Sequence, residues 1–277
     1  MENHLMSKEE NHNIRRILIL GAGKMGLWLA ESLCLDYEVA IYDRDHEKMK
    51  YVFRTRRLNA LDEAADFAPD LLINAVNLQK TVEVFREVIP LLPEDTILSD
   101  IASVKNGLKR FYEDCSRRFV STHPMFGPTF GNVRDLRREN AIIISESCDE
   151  GKAFFRDFYQ RLRLKIFEYS FDQHDQTIAY SLSIPFVSTM VFASCMVKME
   201  VPGTTFKKHL DIARGLLSED KYLLSEILLN PFTLPELERI HASLATLMEL
   251  IRRRDTEGIH RFLHEARENI GMEDEET

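Results

Sequence analysis

The stretch Arg16-Ile-Leu-Ile-Leu-Gly21-Ala-Gly23-Lys-Met-Gly26 decides the fold of the amino-terminal half. A short apolar run followed directly by G-x-G-x-x-G and a helical pattern predicts a strand, a tight turn and a helix. Gly21 permits the turn, Gly23 lets the backbone approach a pyrophosphate, and Gly26 lets helix and strand pack closely. The first amides of the helix, at Lys24 and Met25, would face the anion. This stretch therefore predicts a dinucleotide site.

An acidic residue supports the same site. Asp43 follows the next predicted strand, Glu38–Tyr42, and lies 43 − 23 = 20 residues after the second glycine. A carboxylate at that position accepts hydrogen bonds from the ribose hydroxyls and repels a 2′-phosphate, which favours NAD over NADP. Arg44 instead favours NADP, because a basic residue at that position is able to bind a 2′-phosphate. We expect NAD as the cofactor.

The rest of the chain divides into two architectures. Further strands are predicted at Leu71–Ala75, Thr96–Leu98, Phe119–Ser121, Ala141–Ser145 and Leu164–Tyr169, with helical patterns between them. This alternation is typical of a parallel sheet covered by helices. After Ser170 the strand signals stop, and apolar residues recur at three- and four-residue spacing, with a kink expected at Pro185. We predict an α/β Rossmann-like dinucleotide-binding domain at 14–170 and an all-α dimerisation domain at 171–270, with disordered tails at 1–13 and 271–277.

Composition excludes several classes of protein. The 277 residues carry 36 Lys and Arg against 45 Asp and Glu, a net charge of -9, which argues against a nucleic-acid-binding surface. No signal peptide is recognisable, and no apolar run reaches the ~18 residues expected of a membrane-spanning helix. The four cysteines are far apart in sequence, which favours free thiols in a reducing compartment. We expect a cytoplasmic protein.

A second informative segment is Ser121-Thr-His123-Pro124-Met-Phe-Gly-Pro128. It follows a predicted strand, so His123 should lie at the carboxyl edge of the sheet, where open α/β sheets bind ligands. A neutral imidazole beside a nicotinamide is able to accept the proton of a substrate hydroxyl while a hydride leaves the same carbon. Ser103, after the neighbouring strand, would hydrogen-bond His123 or the substrate, or cap the following helix.

These segments resemble the prephenate dehydrogenase family. The motifs are ILSDIASVKNG at 97–107 and STHPMFGPTFG at 121–131, and the likeness continues through DQHDQ at 172–176 and GTTFK at 203–207. It is closest to the dehydrogenase part of the bifunctional chorismate mutase–prephenate dehydrogenases. The resemblance implies NAD-dependent oxidative decarboxylation of prephenate to 4-hydroxyphenylpyruvate in tyrosine biosynthesis. It assigns His123 as the base, Ser103 as its support and the helical domain as a homodimer interface.

The same resemblance directs attention to the substrate carboxylates. The family places arginines on the helix after the position of Phe206, where this chain has Lys207, Asp211 and Arg214. Lys207 and Arg214 are therefore the expected carboxylate ligands. Ser183 stands in a stretch that often carries histidines in the family, and it would replace one of them in contacting the substrate. His174 also matches the family and is expected to contact the substrate, although the run around it is equally explained by Asp172 and Asp175 capping a helix.

Several alternatives stay open at this level. An arogenate or dual-specificity dehydrogenase would differ only in its substrate. A β-hydroxyacid dehydrogenase is a more distant alternative, and this sequence lacks the glycine-rich substrate loop usual in those enzymes. A non-catalytic dinucleotide sensor is a third alternative, but it would not need His123. His260 and His264 have metal-ligand spacing but no third ligand nearby in sequence, so no metal is expected. The dinucleotide-binding domain takes up about 170 residues and the helical domain about 100. Because this leaves no room for a fused mutase or a tyrosine-sensing domain, we expect a monofunctional enzyme.

Overall fold

The computed structural model describes residues 14–126, 136–197, 200–201 and 203–272. The chain forms two compact units, one made of residues 14–177 and Glu219–Glu226, the other of the remaining described residues. The first unit is built on an eight-stranded sheet in the order β3-β2-β1-β4-β5-β6-β7-β8. Its strands are β1 Arg16–Leu20, β2 Glu38–Tyr42, β3 Arg56–Arg57, β4 Leu71–Asn74, β5 Ile97–Asp100, β6 Phe119–Pro124, β7 Asn140–Ile144 and β8 Lys165–Tyr169.

Alternate residues of each strand bury their side chains on opposite faces of the sheet. In β1, Ile17 and Ile19 pack with helices α1 (Lys24–Leu33) and α5 (Asp149–Arg161). Leu18 and Leu20 pack with α3 (Thr81–Val88) and α4 (Leu108–Cys115) on the other face. A strand buried on both faces is apolar throughout, which is why the sequence shows short continuous apolar runs. A short helix, α2 (Glu63–Phe67), adds Ala64 and Phe67 to the second face.

The Rossmann-like fold class is confirmed, with three local differences. The junction of β6 and β7 is antiparallel, whereas a wholly parallel sheet was expected. The short elements β3 and α2 were not predicted, because two residues of strand or five of helix carry too little periodicity to detect. β6 extends through Pro124, so His123 lies at the end of a strand and pairs with Ile142 rather than standing in a loop.

The carboxyl-terminal part is helical, as predicted. The helices are α6 Phe171–Ile178, α7 Ile184–Ser194, α8 Thr204–Leu217, α9 Lys221–Leu228, α10 Thr233–Arg253 and α11 Thr256–Asn269. A π-helical segment, Ala179–Ser183, separates α6 from α7. Pro185 lacks the N–H that a regular helix donates four residues back, so the irregularity falls immediately before it.

The boundary between the units lies within this helical stretch, at Thr177 and Ile178, rather than at residue 170. Phe171 is part of the core of the α/β unit, and α6 therefore belongs to that unit. The stretch Phe171–Ser194 is long and apolar enough, with a mean hydropathy of 1.4, to cross a membrane on length and composition alone. The two predicted tails, 1–13 and most of 271–277, lie outside the described residues.

Candidate active site

The carboxyl edge of the sheet collects the polar residues of the α/β unit. β1, β2, β4, β5 and β6 run parallel to one another, so Gly21, Asp43, Asp100 and His123 all emerge at one edge. The strand order reverses between β1 and β4, and such a switch point opens a crevice at this edge. Two clusters of side chains lie along it, one at the glycine turn and one around His123.

The three glycines of the turn have different reasons to be glycine. Gly21 has φ of 98°, and a Cβ there would lie 2.8 Å from the Ala75 carbonyl oxygen. A Cβ at Gly26 would overlap the Gly21 carbonyl. A Cβ at Gly23 would meet no atom of the described residues within 4 Å, so this part of the fold does not need glycine at this position. Gly23 instead leaves space free where a ligand has to approach the backbone.

Gly23 is also the N-cap of α1, with extended backbone and no side chain to bond the first amides of the helix. The first-turn N–H groups, at Lys24, Met25 and Gly26, have no intrahelical acceptor. Lys24 is exposed, Met25 is half-buried, and no acidic side chain lies in the first turn. An N-terminus arranged in this way fits a phosphate group.

A cavity of about 360 Å³ opens beside the turn. It is lined by residues that follow β1, β2 and β4, among them Gly21, Gly23, Asp43 and Val76. Asp43 is held in place by two backbone donors, because its Oδ2 accepts from Ala22 N at 2.7 Å and its Oδ1 from Asp45 N at 2.8 Å. Each carboxylate oxygen keeps a further lone pair, so Asp43 is still able to accept ribose hydroxyls.

His123 belongs to a chain of three side chains, here called the histidine relay: Asp175, His174 and His123. His174 Nδ1 lies 2.9 Å from Asp175 Oδ1, and His174 Nε2 lies 3.0 Å from His123 Nδ1. His174 is wholly buried and His123 is only 7% exposed. The relay joins α6 to the end of β6, both within the α/β unit.

The relay fixes the positions of its protons. Burial lowers the pKa of His174 to about 3 and that of His123 well below its usual value, so both imidazoles are neutral near pH 7. Burial raises the pKa of Asp175 to about 6, which leaves it mainly ionised at pH 7. Ionised Asp175 requires a proton on His174 Nδ1, so His174 Nε2 accepts the proton of His123 Nδ1. His123 Nε2 is then unprotonated and is a hydrogen-bond acceptor.

Beneath the relay lies a buried ion pair. Lys105 Nζ is 2.6 Å from Asp100 Oδ1 and donates to the Thr122 carbonyl at 2.8 Å. Asp100 Oδ2 accepts from Tyr112 OH at 2.8 Å, and burial raises the pKa of that phenol well above its ordinary value. The backbone N–H of Lys105 donates to Asp175. Lys105 therefore ties the ends of β5 and β6 to the acidic end of the relay.

Ser103 occupies a different place from the one expected of it. It is half-buried in the turn after β5, and among the described residues it makes no hydrogen bond with His123, whose partner is His174. It does not cap α4 either, because that helix begins at Leu108 with Gly107 as its N-cap. Its contact with the substrate stays a prediction. Gly127 and Pro128, which belong to the same motif as His123, lie outside the described residues.

Asp172 and Asp175 do not cap α6. Ser170 Oγ accepts from Gln173 N at 3.1 Å, and Gln173 Oε1 accepts from Ser170 N at 2.9 Å. This reciprocal pair is a capping box, and its S-x-x-Q spacing is visible in the sequence. Asp172 instead pairs with Lys109. Because the cap is supplied by Ser170, Asp175 is available for the relay.

The residues predicted to bind the substrate carboxylates lie in the helical unit. Lys207 is exposed on α8, and Arg214, also exposed, pairs with Asp211 at 3.4 Å. Ser183 is wholly buried, with its hydroxyl 2.8 Å from Thr233 Oγ1. That hydroxyl is already used inside the unit. Within the described residues, no group of three or more His, Cys, Asp or Glu side chains is arranged to hold a metal ion.

Asp100, Lys105 and the relay role of Asp175 were not predicted from the sequence. Asp100 at the end of a strand, followed five residues later by a lysine, was a usable signal, since both fall at the ligand-binding edge. For the adjacent pair His174-Asp175, the sequence supported a ligand contact and a helix cap equally. Only the packing of α6 against the end of β6 brings this pair to His123.

Comparison with known proteins confirms the predicted resemblance. Residues 31–155 match the family described as "Prephenate dehydrogenase, nucleotide-binding domain". That range includes Asp43, Ser103 and His123 and begins just after the glycine turn. A "Probable arogenate/prephenate dehydrogenase" of Methanocaldococcus jannaschii is 23% identical over 95% of this chain, which spans 63% of the length of that relative. The "T-protein" of Haemophilus influenzae is 22% identical over 98% of the chain and 71% of its own length.

Solved structures share the fold. The prephenate dehydrogenase of A. aeolicus, crystallised with hydroxyphenyl propionate and NAD+, superposes with a TM-score of 0.80 at 20% identity, covering 92% of this chain and 97% of its own. The arogenate dehydrogenase of Synechocystis superposes with a TM-score of 0.71 at 17% identity, covering 92% and 98%. At these identities the likeness establishes the fold.

Proposed function

We propose that this chain, whose residues 31–155 match the nucleotide-binding domain family of prephenate dehydrogenases, is an NAD-dependent prephenate dehydrogenase. It would oxidise and decarboxylate prephenate to 4-hydroxyphenylpyruvate. The observation that carries the proposal is the histidine relay, which leaves an unprotonated, buried imidazole nitrogen on His123 at the carboxyl edge of the sheet. A nucleotide-binding domain alone does not need a base prepared in this way.

The cofactor site is supported by the glycine turn. The amides at the start of α1 would bind the pyrophosphate, the space above Gly23 would admit it, and Asp43 would accept the ribose hydroxyls. When bound, NAD+ supplies the hydride acceptor. The matching family is described as a nucleotide-binding domain, and the prephenate dehydrogenase of A. aeolicus was crystallised in complex with NAD+.

The chemistry assigned to the chain is a proton transfer. His123 Nε2 accepts the proton of the ring hydroxyl as the carbon bearing it loses a hydride to the cofactor. The bond between the ring and its carboxylate breaks, CO2 leaves, and the electron pair of that bond completes the aromatic ring. His123 becomes an imidazolium, which His174 and ionised Asp175 stabilise through their hydrogen bonds. The oxygen of the new phenolate then takes the proton back from His123, so the product is 4-hydroxyphenylpyruvate and the net change is the transfer of one hydride to NAD+ and the loss of CO2.

Substrate contacts are part of the same proposal. Ser103 lies on the turn between β5 and α4 and would bond the ring hydroxyl together with His123. The substrate is a dianion, and Lys207 and Arg214 are the cations proposed for its carboxylates. Lys207 would provide a compact ammonium charge. Arg214 would have to exchange its ion pair with Asp211 for one with a substrate carboxylate. Exposed ion pairs of this kind contribute only about 0–1 kcal/mol, so such an exchange costs little.

Arogenate is the alternative substrate. It carries an amino group where prephenate has a ketone, and relatives of both kinds share this fold. The relay acts on the ring hydroxyl that the two substrates have in common, so it does not discriminate between them. Comparison of kcat/KM for prephenate and arogenate decides this point.

The working form proposed is a cytoplasmic homodimer joined through the helical unit. On α10, Leu244 and Ile251 are 52% and 58% exposed and lie on one apolar stripe, which a second copy would bury. All four cysteines are free, as expected in a reducing compartment. Sedimentation equilibrium should give twice the chain mass of 32.3 kDa, and a monomer at micromolar concentration would count against the dimer.

The decisive experiment is the appearance of NADH absorbance at 340 nm when the protein is mixed with prephenate and NAD+. We expect His123→Asn to remain folded and to lower kcat by about 10²- to 10⁴-fold, the range of general-base catalysis. His260→Asn, which changes a histidine of α11 outside the proposed site, serves as the matched control and should have the wild-type rate. NAD+ binding without any NADH would instead indicate a non-catalytic dinucleotide sensor.

A further inference from the structure

The cations around the nucleotide cavity are each paired with a carboxylate. The nucleotide rim is defined here as Asp43, Arg44, Lys48, Lys80 and Glu87, which all line the cavity. Arg44 Nη2 lies 2.8 Å from Glu87 Oε1 and 2.6 Å from Glu87 Oε2. Lys48 lies 3.7 Å from Asp43, and Lys80 lies 2.7 Å from Glu83.

The Arg44 pair differs from the other two in its position. Arg44 directly follows Asp43, the residue proposed for the ribose end of the cavity, whereas Glu87 lies on α3, which follows β4 on the other side of β1. The pair therefore connects two segments 43 residues apart in sequence. An arginine next to the ribose acid is the residue type that binds a 2′-phosphate, so its partner decides whether it is available.

We infer that Glu87 is a specificity-determining residue that keeps Arg44 from binding the 2′-phosphate of NADP. The inference rests on the proposed function, since it concerns the cofactor of the same site. Glu87 acts in two ways: it occupies the guanidinium of Arg44, and its negative charge repels a phosphate dianion brought to that position.

The charges around Arg44 limit how far the loss of Glu87 can change the preference between NAD and NADP. Asp43 keeps its carboxylate at the ribose and continues to repel a 2′-phosphate when Glu87 is neutralised. Glu83, one turn earlier on α3, also acts on Arg44 at longer range but bonds Lys80. Removing the charge of Glu87 alone therefore weakens the preference for NAD without reversing it.

The test compares the binding of NAD+ and NADP+ to the whole protein by titration calorimetry at fixed low ionic strength. Glu87→Gln should shift the ratio of the two dissociation constants about tenfold toward NADP+. The double variant Arg44→Gln with Glu87→Gln should lose most of that gain, because only the removed repulsion between Glu87 and the phosphate remains once the guanidinium is gone. Glu83→Gln, a like change on the same helix, should shift the ratio by less than about twofold.

An unchanged ratio in Glu87→Gln would overturn the inference. So would an equal gain in the double variant or in Glu83→Gln, because the effect would then be one of general charge and not of Arg44. Failure of the proposed function has a different appearance. If the wild-type protein binds NAD+ but makes no NADH from prephenate, the proposed reaction is wrong and the role of Glu87 still stands. If it binds neither NAD+ nor NADP+, both proposals are wrong.

Discussion

The histidine relay and the nucleotide rim lie along one edge of the same sheet, yet they use charge in opposite ways. The two histidines of the relay and the ion pair beneath it are buried, and their hydrogen-bond partners are defined. Apart from Asp43, the side chains of the rim are exposed, and water also solvates their ion pairs. Burial makes a polar contact costly to break and therefore precise, whereas exposure makes it weak and exchangeable.

The largest effect is expected at the ion pair beneath the relay. Lys105→Met removes the cation and leaves Asp100 buried without its charge partner, which should cost about 3–5 kcal/mol of unfolding free energy. Trp28, the single tryptophan, packs against Phe126 in the α/β unit, so its fluorescence in urea follows the unfolding of that unit.

Lys109→Met is the matched control for this change. Lys109 lies one turn further along and pairs with exposed Asp172. Its loss should cost less than about 1 kcal/mol. Equal costs for the two variants would remove the distinction between buried and exposed pairs.

A second, smaller effect is expected at the acidic end of the relay. In Asp175→Asn the proton is no longer held on His174 Nδ1, because the amide is able to donate as well as accept. His123 is then protonated on Nε2 for part of the time, and in that tautomer Nε2 does not accept the substrate proton. We expect kcat to fall roughly 10²-fold while KM changes little. Asp172→Asn, on the same helix but exposed, should leave kcat unchanged.

The pH profile separates this role from a structural one. Burial raises the pKa of Asp175 to about 6, so the ionised form that the relay needs is lost as the pH falls through 6. Wild-type kcat should therefore decline below about pH 6, and the Asp175→Asn variant should lack that decline. A variant that keeps the wild-type profile would show that Asp175 does not govern the proton on His123.

The smallest effect is expected in the glycine turn. Gly23→Ala fills the space in which no protein atom lies, so the melting temperature should stay the same and the dissociation constant for NAD+ should rise about tenfold. Gly21→Ala should do the reverse and destabilise the fold by about 2 kcal/mol or more, because its φ of 98° and its contact with Ala75 both exclude a side chain. A stability loss in Gly23→Ala would assign that glycine to the fold instead.

The accuracy of the sequence-based predictions follows the range of the interactions involved. β1, the glycine turn and Asp43 were predicted at their observed positions, because turn, helix start and strand end are local and carry residue types that few other structures require. The antiparallel β6–β7 junction was not predicted, because strand direction depends on a pairing between distant segments.

The residues of the candidate site show the same difference between local and long-range interactions. The sequence alone determined that a glycine-rich turn after the first strand, an acid after the second strand and a histidine after a later strand belong to one protein, since each is encoded by neighbouring residues. Only the tertiary structure decided that the partner of His123 is His174, that Asp175 orders its proton and that Glu87 holds Arg44. The two direct contacts join residues 51 and 43 positions apart, and no local pattern records which side chains the sheet and its helices bring together.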